Sequence, residues 1–178
     1  MSLPPVASPA VRDDRVPRPA ASEATIAVQH VRIEAASDIE TVKAALESLV
    51  PPVDPAVAAS LRAGDRDRVA WQETHGAKLS IFVVRDHGSF LAVAGRARKA
   101  YQYEIGNPIT ASRMTRHDIR AGLYAPLRVM LYEDDWGRAV FEYDQPSSLF
   151  GQFGDDRVTA VARELDDELK AVLLRAAA

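Results

Sequence analysis

The sequence contains no cysteine, which excludes disulfides, thiolate metal sites and cysteine nucleophiles. It also has no apolar run near the roughly 20 residues that a membrane-spanning helix needs. The net charge is only −3, so the charge balance gives no general reason to expect nucleic acid or an anionic membrane as a partner. With 47% hydrophobic and 26% charged residues, the composition excludes wholesale disorder and a coiled coil, and indicates a globular chain.

The first part of the chain is rich in proline. Residues 1–23 include Pro4, Pro5, Pro9, Pro17 and Pro19 among alanine, serine and charged residues. Proline fixes φ and removes a backbone donor, so neither a helix nor a sheet runs through this stretch. It also lacks the uninterrupted apolar stretch of a secretory signal. We therefore predict a flexible extension over residues 1–23, a single domain over residues 24–178, and a cytoplasmic location.

The first half of the domain predicts two strands and two helices. Thr25 to Glu34 is rich in β-branched residues, which favours a strand. Ser37 and Glu40 have the spacing of a capping box, which predicts a helix that ends before Pro51. Asp54 followed by Pro55 opens a second helix, with a further turn around residues 69–71. The short apolar run from Leu79 to Arg85 predicts a buried strand, and residues 86–88 a turn, whereas residues 89–95 fit either a strand or a short helix.

The second half has stronger local signals. Lys99 to Ile105 predicts a strand, and Asn107 with Pro108 predicts the cap and first position of a helix. Apolar residues alternate with polar residues on both sides of Asp135-Trp136-Gly137, which predicts a β-hairpin over residues 127–144. After Gly154-Asp155, apolar residues recur at helical spacing to the end of the chain, which predicts one long amphipathic helix.

The apolar positions of the hairpin fix its register. Leu131 lies opposite Phe141 and Val129 opposite Tyr143, because a slip of one residue would place a glutamate among the apolar side chains. The same register sets Arg128 opposite Asp144 on the polar face, close enough for an ion pair.

Two longer stretches resemble a known family when taken together with the terminal helix. YQYEIGNPITASRM (101–114) is followed by GLYAPLRVMLYEDDWGRAVFEYDQPSS (122–148). The set is similar to the bacterial domain-of-unknown-function family 302, over roughly residues 25–178. The resemblance implies an α+β fold, an antiparallel sheet covered by helices in a single compact domain, often as a homodimer. It implies no activity and no catalytic residues, because none is assigned to the family.

One cluster of candidate ligand-binding residues follows from these elements. Asn107 and Pro108 place free backbone N–H groups and a positive dipole end at one point, which suits a carboxylate or phosphate. Tyr103 and Arg128 are its candidate neighbours in a cleft. The alternative is that Asn107 is a plain helix cap.

Other reactive residues have ordinary local explanations. His30, His75, His87 and His117 lack the spacing of metal ligands, so we expect no metal and no cofactor. The basic residues 96–99 precede Tyr101 and Tyr103, a pattern that can bind single-stranded nucleic acid, but a solvated loop accounts for it better in an acidic chain. The paired aspartates fit a turn, a helix start and a helix face.

The sequence favours a non-enzymatic homodimeric module that binds a small anionic or organic ligand, or a protein partner, in the cleft near Asn107. An enzyme whose acid–base groups, such as Tyr103, His117 and Arg128, are assembled by the fold is the first alternative. A purely structural or regulatory dimer is the second. Exposed aromatic residues left over by the pattern, Trp136 and those of residues 150–153, would contribute to the dimer contact.

The proline-rich extension should be dispensable for folding, because it has few apolar side chains to bury. A chain shortened to begin at Ala24 should melt at the same temperature as the full chain, measured by circular dichroism. A drop of several degrees would show that the extension packs on the domain or on its partner.

Overall fold

A five-stranded antiparallel sheet organises the computed structural model, which describes residues 19–178. The strand order is β1-β5-β4-β3-β2. The strands are β1 (His30–Glu34), β2 (Ser80–Asp86), β3 (Ala100–Gly106), β4 (Leu127–Glu133) and β5 (Ala139–Asp144). Most of the predicted extension lies outside the described residues, and residues 19–23 are exposed with neither helix nor strand.

Seven α-helices within residues 19–178 accompany the sheet. They are α1 (Ile39–Leu49), α2 (Pro55–Ala63), α3 (Arg66–His75), α4 (His87–Phe90), α5 (Pro108–Thr115), α6 (Pro146–Phe150) and α7 (Asp156–Ala177). Short 3₁₀ helices follow at Leu91–Ala94, Ile119–Tyr124 and Gly151–Phe153. The predicted fold class, an α+β fold with an antiparallel sheet covered by helices, is confirmed.

The core lies between one face of the sheet and the helices. Alternate residues of the strands, such as Tyr103, Val129 and Phe141, are fully buried and pack with the apolar sides of α1 and α7. Successive side chains of a strand point to opposite faces, so the residues between them lie on the second face. That second face, which we call the outer face, carries mostly charged and polar side chains, including Arg32, Glu104, Arg128, Glu142 and Asp144.

The predicted hairpin and its register are confirmed. Val129 pairs with Tyr143 and Leu131 with Phe141. The Asp134 N–H donates to the Arg138 carbonyl oxygen at 2.9 Å, which closes a three-residue loop. Gly137 has φ +77° at the end of this loop, a left-handed conformation that glycine adopts without steric cost.

The predicted starts of α1 and of β1 are wrong. The N-cap of α1 is Asp38 rather than Ser37, because the Asp38 carboxylate accepts hydrogen bonds from the N–H groups of Glu40 (3.0 Å) and Thr41 (3.2 Å). A carboxylate there also interacts favourably with the helix dipole. β1 begins only at His30, because no strand within residues 19–178 pairs with residues 25–29.

The strand β2 is only partly buried, contrary to the prediction. Its first two residues are buried, whereas Val83 to Asp86 are exposed, because β2 forms an edge of the sheet. The predicted turn at residues 86–88 is a helix start, since the Asp86 carboxylate accepts a hydrogen bond from the Ser89 N–H and caps α4. The ambiguous residues that follow are helical.

Not all of the aromatic residues that were expected at the surface are exposed. Trp136, at the hairpin tip, is 78% exposed. Phe150 is fully buried, because the α6 helix turns it into the core against the edge of Tyr124. Phe150 therefore supports the domain itself and is not free for a dimer contact.

Candidate functional site

Two cavities lie on either side of the segment from Ala125 to Leu127, which connects a 3₁₀ helix to β4 and contains a cis peptide bond before Pro126. The inner cavity has a volume of about 110 Å³ and lies beside the start of α5. Its walls are Phe82, Gly106, Asn107, Pro108, Thr110, Ala111, Met114, Ala125, Pro126, Leu127, Phe150 and Leu165. None of these side chains is titratable, and apart from the Asn107 amide and the Thr110 hydroxyl the walls are apolar.

Asn107 lies at the edge of the inner cavity, where β3 gives way to α5. Its Oδ1 accepts hydrogen bonds from the N–H groups of Ile109 (2.8 Å) and Thr110 (3.3 Å). Its Nδ2 donates to the carbonyl oxygens of Ala77 (3.0 Å) and Lys78 (3.2 Å). The predicted helix cap is confirmed. Because Asn107 itself binds these N–H groups, they are not free to hold a ligand anion.

Tyr103 does not line either cavity. It is fully buried on the core face of β3, where its hydroxyl donates to Glu47 Oε1 at 3.0 Å. Burial and this hydrogen bond raise the pKa of Tyr103 well above its usual range. Glu47 is also paired with Lys43, at 2.8 Å, so the tyrosine belongs to a structural contact between β3 and α1.

The outer cavity lies on the opposite side of the same segment and measures about 390 Å³. It is lined by Glu104, Leu123, Tyr124, Ala125, Pro126, Leu127, Arg128, Asp144 and Leu149. It therefore combines three charged side chains from β3, β4 and β5 with apolar residues from the loop and from α6.

Arg128 and Asp144 both reach this cavity, as the hairpin register predicted. The predicted ion pair between them is absent, however: among residues 19–178, Arg128 has no acidic partner within 4.0 Å. Asp144 instead accepts a hydrogen bond from His30 Nδ1 at 2.9 Å. Glu104 lies opposite Arg128 on the neighbouring strand β3, and it forms an ion pair with Arg85 at 2.6 Å. Sequence reasoning missed these partners because they come from the two edge strands.

The three candidate ligand residues are thus not brought together. Asn107 lines the inner cavity, Arg128 the outer cavity, and Tyr103 neither. Tyr103 pairs across the sheet with Val129, the neighbour of Arg128, so the two candidates necessarily lie on opposite faces.

A charged network on the outer face consists of His30, Arg32, Tyr132, Glu142 and Asp144. The His30 Nε2 lies 3.5 Å from Glu142, which also accepts hydrogen bonds from Arg32 (2.8 Å) and the Tyr132 hydroxyl (2.8 Å). The hydrogen bond to Asp144 raises the pKa of His30 above its ordinary value; burial opposes this effect, and Glu142 adds to it. The hydrogen bonds at Glu142 outweigh its burial, so its own pKa lies below the ordinary value.

The other histidines are scattered. His75 stacks on Trp71 with ring centroids 4.9 Å apart, His87 packs edge-on against Phe90, and His117 is exposed after α5. Over residues 19–178, no three or more acidic or histidine side chains come together in a way that would hold a metal ion. No helix in that range has the length and apolarity to cross a membrane.

The basic loop before β3 is occupied by local ion pairs. Arg98 pairs with Asp135 beside the hairpin tip, and Lys99 pairs with Glu40 at 3.0 Å. The paired aspartates have structural partners too: the Asp155 carboxylate accepts a hydrogen bond from the Arg157 N–H at the start of α7, and Asp166 from the Ser147 N–H.

Fold and cavities define a small α+β domain in which helices cover one sheet face and a loop separates an apolar from a charged cavity. The chain belongs to the DUF302 family, described as a domain of unknown function, whose model matches residues 72–176. No curated protein matches the sequence. A similar solved structure is an uncharacterized conserved DUF302 protein from Bacillus stearothermophilus. It is 17% identical, has a TM-score of 0.61, and the alignment covers 83% of this chain and 97% of that one, a likeness that shows the fold alone.

Protonation of His30 should stabilise the protein. Because its folded-state pKa is raised, this contribution is fully present below the unfolded pKa of about 6.5 and is lost as pH rises through the folded value. The side chains are partly exposed, so the contribution stays below about 1 kcal/mol. We expect His30→Gln to lower the free energy of unfolding more at pH 5.5 than at pH 8.5, measured by urea denaturation.

The matched control is His117→Gln, because His117 is exposed and lies apart from the network. It should leave the pH dependence unchanged. Equal losses for His30→Gln at both pH values would contradict a stabilising role for the protonated ring.

Proposed function

We propose that this protein is a non-catalytic binding module whose inner cavity takes a small apolar group of a ligand. The observation that carries the proposal is the lining of that cavity, in which no residue between 19 and 178 contributes a titratable side chain. Apolar cavities of similar size, about 150 Å³, hold a molecule such as benzene. At about 110 Å³, the inner cavity suits a branched aliphatic or small aromatic group.

The placement of the acid–base candidates supports binding over catalysis. General acid–base chemistry requires a proton donor or acceptor within hydrogen-bond reach of the reacting group. Tyr103 lies in the core with its hydroxyl bonded to Glu47, His117 lies on the surface, and Arg128 lies on the outer face. None of the three lines the inner cavity, so an enzyme using them there has no structural support.

Gly106 offers a way to fill this cavity without disturbing the fold. A Cβ atom built on Gly106 would lie 3.6 Å from the Pro126 Cβ and 3.7 Å from the Phe82 Cε2. These are ordinary van der Waals contacts, so Gly106→Ala adds a methyl group between two wall residues without a clash. Its main effect is to narrow the apolar space.

The Gly106→Ala variant should fold normally but lose binding of benzene, the probe for the cavity. At ten times its dissociation constant, a ligand stabilises the native state by about 1.4 kcal/mol. For a domain of this size, that raises the melting temperature by about 3–6 °C. We expect this shift for the natural protein in differential scanning calorimetry and little or none for Gly106→Ala.

Gly122→Ala is the control, because a Cβ there meets only the Thr115 Cγ2, at 4.0 Å, and lies outside the cavity. It should keep the full benzene shift. No shift in the natural protein, or an equal shift in Gly106→Ala, would contradict ligand binding in the inner cavity.

We also propose that the protein is a homodimer in the bacterial cytoplasm. Large exposed apolar side chains support an assembly, among them Ile119 at 80%, Leu123 at 74% and Trp136 at 78% exposure. The absence of cysteine from the sequence supports the location. A structural or regulatory dimer without a ligand is the alternative that shares this assembly.

Sedimentation velocity at micromolar concentration tests the dimer. We expect one species of twice the 19.4 kDa chain mass. Two single variants, Leu123→Ser and Trp136→Ser, test two separate surface positions. The variant whose position lies within the interface should shift the protein toward monomer. Only monomer in the natural protein would overturn the assembly. A dimer without the benzene shift would favour the structural or regulatory alternative.

A further inference from the structure

The outer cavity has the size of a ligand site. Its volume of about 390 Å³ lies within the roughly 300–1,000 Å³ of small-molecule pockets. Arg128, Glu104 and Asp144 come from three adjacent strands, so the backbone hydrogen bonds of the sheet fix their positions. Sites supported on strands hold their side chains more precisely than sites built on loops.

Of the charged residues that line this cavity, Arg128 has no ion-pair partner among residues 19–178. Both flanking carboxylates have other hydrogen-bond partners: Glu104 is held by Arg85 at 2.6 Å, and Asp144 by His30 at 2.9 Å. Within residues 19–178, the Arg128 side chain donates no hydrogen bond and has no acidic partner within 4.0 Å. A guanidinium group has five donors in a planar fork that matches a carboxylate.

The opposite wall of the cavity is apolar. Leu123, Pro126 and Leu149 contribute aliphatic surface, and Tyr124 contributes an aromatic ring. Leu123 is 74% exposed, so part of this wall is open to solvent. An occupant therefore gains from an apolar body next to its charged group.

We propose that the outer cavity binds a small organic monocarboxylate, with the carboxylate on the Arg128 guanidinium and the apolar body against Leu123, Tyr124 and Leu149. The outer cavity is lined by one guanidinium, that of Arg128, which serves one carboxylate; a second carboxylate would lie near Glu104 and Asp144 without a cation of its own. The site is separate from the inner cavity, since Arg128 and Asn107 line different spaces.

Benzoate is the probe, and benzamide and phthalate are its comparisons. Benzamide has the same shape without the charge, and phthalate adds a second carboxylate. In titrations followed by nuclear magnetic resonance, benzoate should bind saturably, with backbone shifts in β4 and residues 123–126. Benzamide and phthalate should each bind at least ten-fold more weakly.

Two variants separate the planar fork from the charge. Arg128→Lys keeps the charge but loses the bidentate geometry, so benzoate affinity should fall at least five-fold. Arg128→Gln should abolish the binding. Both variants should keep the melting temperature, because Arg128 is exposed and unpaired within the described chain. Arg163→Lys, another exposed arginine, lies on α7 and should leave the affinity unchanged.

The proposal is overturned if benzoate binds Arg128→Gln as well as the natural protein, or if benzamide matches benzoate. Gly106→Ala distinguishes the two cavities. Benzoate binding that survives Arg128→Gln but is lost in Gly106→Ala would place the probe in the inner cavity and refute the outer site. The reverse result supports the outer site whether or not the inner cavity binds benzene.

Discussion

The hydrogen-bond register between β4 and β5 determines which side chains face the helices and which face solvent. Pairing Val129 with Tyr143 places every second residue of both strands in the core. Side chains alternate with a period of two, so a slip of one residue would bury Glu142 and expose Phe141. The core, the charged network and both cavities therefore depend on this one alignment, which the loop with Gly137 at φ +77° fixes.

Predictions from the sequence succeeded where the deciding interactions are local. The hairpin, the Asn107 cap and the terminal helix each follow from residues within a few positions of one another. The failures depend on distant segments. The exposure of β2 follows from its place at the sheet edge, and the burial of Phe150 from its contact with Tyr124, 26 positions earlier in the chain. The cap of α1 is a different case, because Ser37 and Asp38 are both local candidates and the Asp38 carboxylate is the group that accepts the hydrogen bonds.

The candidate site shows the same limit. The sequence placed Arg128 opposite Asp144 correctly, but it did not reveal that His30 comes from β1 to bind Asp144 and that Arg85 comes from β2 to bind Glu104. Those contacts require the strand order, which one sequence without an alignment does not give. Tyr103 was grouped with Arg128 for the same reason: only the pairing of β3 with β4 shows that they lie on opposite faces.

Pro126 lies between the two cavities, of which the inner one is mostly apolar and the outer one is lined by charged side chains. On the core side, the walls come from helix and strand residues that are mostly apolar, and none of the described wall residues has a titratable side chain. On the outer side, the strand residues face water and carry charges in alternating sign. General acid–base catalysis needs a titratable group within hydrogen-bond reach of the reacting group. Among residues 19–178, titratable side chains line the outer cavity and not the inner one, so the two cavities offer a ligand different chemistry, charge on one side and apolar contact on the other.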